Sequence, residues 1–145
     1  MIGKLQLFLS CWANELSLGE AIQCAPEWGY DGVEGPADPS CADELAAAGL
    51  PYIAEIATGG NYVPSPGVSL QAHLDDLEGN LTERVSAFTP LHVNMLVGAD
   101  ACSFGECVSF YERGIAMGKR LGFKLVWETH RSRPAFSPWQ TRDLL

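Results

Sequence analysis

Apolar residues along the chain gather into short runs of strand length, and each run is followed by a segment whose apolar positions recur at helical spacing. The runs predict strands over residues 5–12, 32–34, 52–57, 92–97 and 124–129, and the segments between them predict helices over 18–28, 42–48, 70–88 and 104–121. The punctuation agrees. Ser-x-x-Glu/Asp/Gln recurs at Ser17, Ser40, Ser103 and Ser137, pairing a hydroxyl that accepts from the first turn with a side chain that caps back. Pro138 follows the last of these at the first helical position, where a missing N–H costs nothing, so a further helix begins there. Gly29, Gly49 and Gly122 each close a helical stretch just ahead of a strand.

Strict alternation of strand and helix with short connections predicts parallel strands and right-handed crossovers, which leaves an open doubly wound sheet or a closed barrel. Two features favour the barrel. No G-x-G-x-x-G follows the first strand. Polar residues instead collect toward the C-terminal ends of strands, as Glu34, Glu55, Asn94, Glu128 and His130, and that rim is where barrel enzymes build their sites. The expected fold is therefore α/β, a partial (β/α)8 barrel of about five parallel strands with intervening helices. It forms one domain over residues 1–145, expected to be incomplete at its C-terminus, because a closed barrel takes ~250 residues.

Charge narrows the partners. Nine Lys and Arg stand against 18 Asp and Glu, and the net charge of −9 with no basic run argues against nucleic acid. No apolar stretch approaches the ~20 residues that cross a bilayer, so no membrane span is predicted. The five cysteines are odd in number and scattered, without metal-finger spacing, and read as reduced thiols of a cytoplasmic protein.

On the fifth predicted strand the period of two puts Val126, Glu128 and His130 on one face, with Trp127 toward the helices. A carboxylate beside an imidazole binds a divalent cation or moves a proton; a salt-bridged strand end explains the pair equally well.

Several motifs then carry a family resemblance in conserved order over nearly the whole chain. Gly29-Tyr-Asp-Gly-Val-Glu34, Ala72-His-Leu-Asp-Asp-Leu77, Asn94 with the later segment 98–104, and Trp127-Glu-Thr-His-Arg-Ser-Arg133 followed by Phe136-Ser-Pro-Trp139 resemble the xylose-isomerase-like TIM-barrel family of sugar (phosphate) isomerases and epimerases. The resemblance implies a divalent metal (manganese, magnesium, cobalt or zinc) held by a Glu, Asp, His and Glu from the last four strands, with Glu128 matching the first ligand. The metal would chelate adjacent oxygens of a small sugar or sugar phosphate while a carboxylate base removes the carbon-bound proton. Glu34 matches a rim glutamate of strand two. The expected catalytic set is Glu34, Glu128 and His130.

The chain departs from the family at Leu96, where many relatives place a histidine, and the remaining metal ligands would lie beyond Leu145. This chain alone is accordingly expected to be inactive as an isomerase. Arg131 and Arg133 are expected to clamp a substrate phosphate or carboxylate, or else to form loop salt bridges. Trp12 is expected to stack on a sugar ring or to cap the core, and Glu55 and Asn94 to bind substrate at the rim. Gly59-Gly60 reads as a plain turn, and His73, Asp75 and Asp76 as a solvated helix face. Two rival functions remain: a self-associating half-barrel that binds without catalysis, as a homo-oligomer, and a DNA-repair endonuclease of the same superfamily, which the acidic balance disfavours.

Overall fold

In a computed structural model, which describes residues 5–60 and 62–145, parallel strands pair in the order in which they occur along the chain. They are β1 (Phe8–Ser10), β2 (Gly32–Pro36), β3 (Tyr52–Ala57), β4 (His92–Leu96) and β5 (Leu125–Trp127). The helices are α1 (Cys11–Asn14), α2 (Leu18–Glu27), α3 (Ala42–Ala48), α4 (Leu70–Gly79), α5 (Phe104–Leu121) and α6 (Pro138–Leu144). A doubly wound sheet reverses its order at a switch point; this order runs from β1 to β5 without reversal. Right-handed crossovers between such strands carry the helices to one side of the sheet.

The register sorts the side chains. Val33 lies opposite Tyr52, and Ala54 opposite Val93, on the face that packs against the helices. Leu9, Val33, Ala54, Val93 and Met95 are buried there with Ala21 and Ile22 of α2, Leu74 and Leu77 of α4 and Phe110 of α5. Fully burying each larger side chain contributes about 1.5–3 kcal/mol, which makes this face the source of most of the stability. The opposite face carries the alternate positions: Ser10 opposite Glu34, Glu55 opposite Asn94, and Asn94 opposite Val126.

Several boundaries differ from expectation, each for a local reason. The first strand stops at Ser10, whose hydroxyl caps the turn of α1, so Trp12 rides on a helical turn. The last strand stops at Trp127, although the Glu128 N–H still reaches the Met95 carbonyl at 3.0 Å. The helix expected over 70–88 keeps its α form only to Gly79, then widens over Asn80–Arg84 and tightens over Val85–Ala87. Asn80 and Thr82 bond the Asp76 and Glu78 carbonyls there, competing with the regular ladder.

Ser17 and Ser103 form full capping boxes with Glu20 and Glu106, and Ser137 caps α6. Ser40 does not cap: Asp38 accepts its N–H and opens a short 3-10 turn, Pro39–Cys41, ahead of α3. Ser69 supplies an unanticipated cap to α4. All five cysteines are free thiols. Among the described residues no helix is long and apolar enough to cross a membrane.

Candidate functional site

The uncovered face of the sheet bears carboxylates at the C-terminal ends of its strands. Glu34 comes from β2, Glu55 from β3 and Glu128 from the residue just past β5, and together they line a cavity of about 380 Å³. Asn94 of β4 lies between them. Its amide nitrogen donates to Glu128 Oε2 at 2.7 Å and, more loosely, to Glu34 Oε1 at 3.4 Å. A side-chain amide has two N–H donors, so one residue can hold two carboxylates that would otherwise repel each other.

Glu55 is held differently. The Trp12 indole N–H donates to its Oε2, and the Tyr62 ring packs edge-on against Trp12 to form one wall of the cavity. Gly35 makes this possible, since a Cβ at that position would come within 2.5 Å of Cys11 Sγ and push away the turn that carries Trp12. Leu96 gives the cavity an apolar lining where the resemblance would have put an imidazole.

Electrostatics act strongly on Glu55. Burial pushes its carboxyl up to about 8, and the nearby Glu34 and Glu128 carboxylates push in the same direction. The indole N–H favours the ionised form, but burial and two like charges outweigh one neutral donor. At neutral pH Glu55 is therefore a carboxylic acid. Cys11, close behind, is pushed up to about 11, by burial first and by Glu55 and Glu34 next, and stays a thiol.

His130 and Arg131 line the far side of the cavity. His130 has left the strand, so the alternation expected to pair it with Glu128 ends at Trp127. Its Nδ1 lies 2.8 Å from the Arg131 carbonyl, which only accepts, so that nitrogen carries a proton. Arg133 stands apart from the cavity. It is 1% exposed, and its guanidinium donates to the carbonyls of Thr58, Gly98 and Tyr62.

The helix face expected to be solvated is so only at Asp75. His73 is fully buried with Nδ1 2.8 Å from Thr58 Oγ1, and burial, then the Arg133 charge, lowers its pKa. Asp76 accepts the Gly59 N–H at 2.9 Å. The Gly59-Gly60 turn thus spends that N–H on the protein.

The described residues do not fit a divalent metal. No group of three or more His, Cys, Asp or Glu side chains among them comes close enough to hold one, and Glu128 is engaged by Asn94. Ser10 and Tyr62 also line the cavity and were not anticipated. Ser10 stands in register with Glu34 on the same face, and its alternation with Leu9 along the strand is the signal that could have placed it there. Tyr62 belongs to a loop whose course no periodicity predicts.

No protein-family model matches the chain, and no curated protein matches its sequence. The site itself carries the functional argument.

Proposed function

We propose that this chain supplies the N-terminal strands of a xylose-isomerase-like α/β barrel and that its rim performs carboxylate-mediated proton transfer on a small sugar or sugar phosphate, as in isomerisation or epimerisation. The observation that carries the reading is the convergence of Glu34, Glu55 and Glu128 on one cavity, with Glu55 raised to about 8. Carboxyl groups in different environments divide acid from base work. The unreversed strand order supports the barrel half of the proposal.

Glu55 enters protonated and donates to the carbonyl oxygen of an aldose or ketose. Glu34, held only at 3.4 Å by Asn94, is the base that takes the proton from the adjacent carbon, whose electron pair becomes the C=C bond of an enediol. Return of that proton to the neighbouring carbon, with loss of a hydroxyl proton to the Glu55 carboxylate, gives the isomer and restores both groups. The resemblance would bring a metal to Glu128, but these residues do not assemble its ligands, and the sequence above uses only side chains of this chain.

The test is solvent exchange, because it detects proton removal even when turnover is poor. The protein is incubated in D2O with neutral and phosphorylated aldoses and ketoses, with and without manganese or magnesium, and the α C–H signal is followed by NMR. Deuterium exchange without net isomerisation is expected from this chain alone with at least one sugar. It should fall about a hundredfold in Glu55→Gln and decline as pH rises past the Glu55 midpoint. A wild-type rate no faster than buffer for every sugar sinks the reading.

A second reading, self-association without catalysis, draws on exposed apolar side chains at both ends of the sheet. Leu5 and Leu7 precede β1, and Ile115, Phe136 and Trp139 lie on segments around β5. Sheet edges with exposed apolar neighbours are prone to pair with another chain. Size exclusion with light scattering should then give a discrete dimer that Trp139→Lys disrupts, and a monomer at all concentrations excludes it.

A further inference from the structure

The loops that frame the cavity meet at one buried cation. A guanidinium is costly to remove from water unless its donors are used. Arg133, in the loop after β5, uses them on carbonyls of two other loops. Nε donates to Tyr62 O at 3.0 Å, and Nη1 to Thr58 O at 2.9 Å and Gly98 O at 2.7 Å. Thr58 and Tyr62 follow β3, whereas Gly98 follows β4.

The three loops are also drawn together directly. The Thr58 hydroxyl accepts the Gly98 N–H at 3.3 Å, and the Asp100 N–H donates to Ser132 O at 3.1 Å. Gly98 has φ +71°, and a Cβ there would lie 2.9 Å from Pro134 Cγ, so the loops after β4 and β5 approach as closely as a glycine permits. A planar fork of donors on a buried stem fixes the relative spacing of what it bonds. A flexible ammonium would not.

One of the bonded residues faces the cavity. Tyr62 packs on Trp12, and Trp12 closes on Glu55.

We propose that Arg133 is a positioning residue: its guanidinium pins the loops after β3 and β4 to the loop after β5, and so holds Tyr62 against Trp12 and the Trp12 indole N–H on Glu55. This explains why an arginine that the sequence offers as a substrate clamp is buried behind the cavity wall. The inference rests on the proposed function only for the catalytic meaning of that wall.

The experiment needs no substrate. In the full-length 15N-labelled chain, the solvent-exchange rate of the Trp12 indole N–H is compared with that of the Val93 amide, which donates to Lys124 O within the sheet and reports overall stability. Arg133→Met is expected to speed indole exchange about tenfold relative to Val93. Arg133→Lys should produce a smaller increase, because one ammonium replaces the fork. A folded variant in which the indole rate is unchanged, or rises only in step with Val93, overturns the proposal; if the Met variant does not fold, the Lys variant decides by the same ratio. Sugar proton exchange that is absent from wild type while the indole stays protected removes the proposed function and leaves the brace standing.

Discussion

Asn94 and Met95 are neighbours on β4, share one hydrogen-bonding ladder, and point to opposite faces of the sheet. Met95 is 1% exposed beneath the helices, among Leu9, Val33 and Val93. Asn94, on the uncovered face, bonds two of the carboxylates that line the cavity. On the covered face the residues lower the free energy of folding by leaving water. On the uncovered face they oppose it: three glutamates converge, and one of them gives up its charge at neutral pH. A sheet can tolerate the second face only because the first is well packed, and a side that costs stability is where a binding or catalytic role is to be sought.

The largest effect should come from breaking the covered face. Met95→Ala removes a buried side chain from a close-packed layer and should lower stability by about 3 kcal/mol in urea denaturation. Asn94→Ala, one residue away, removes a half-buried amide and should cost about 1 kcal/mol or less. An Asn94→Ala variant as unstable as Met95→Ala would erase the distinction between the faces.

How much of this was legible depended on periodicity. The strand over Tyr52–Ala57 and the helices Ala42–Ala48 and Phe104–Leu121 could be read to the residue, because alternation or helical spacing is continuous across each of them. Glu34, Glu55 and Asn94 could be placed at one rim because a period of two assigns a face without knowledge of the partners. His130 could not, since the ladder ends at Trp127 and alternation has no meaning in the loop beyond. Arg133 and His73 went wrong for a related reason: their burial is created by loops that fold over them, and nothing in local spacing announces a tertiary cover. Ser40 lost its cap to Asp38, a competition between two suitable residues that sequence alone does not resolve.

The remaining prediction acts on the uncovered face and has the opposite sign. Glu55 has a folded-state pKa of about 8 against 4.5 for the ordinary group, so between those values the folded protein holds a proton that the unfolded chain has released. Stability must then fall as pH rises through that window, and the contribution is unimpaired only below the unfolded value. Glu55→Gln keeps the shape and the acceptor for the Trp12 N–H but cannot ionise. Its stability relative to wild type should therefore grow by roughly 2 kcal/mol from pH 5 to pH 8, after allowance for the partial exposure of the carboxyl. Paired urea titrations across that range measure the difference directly. A difference that stays flat means Glu55 is ionised in the folded protein at neutral pH, which would remove the acid from the proposed proton transfer while leaving the packing of the covered face untouched. A difference that grows as expected ties the instability of this face to the same proton that the chemistry requires.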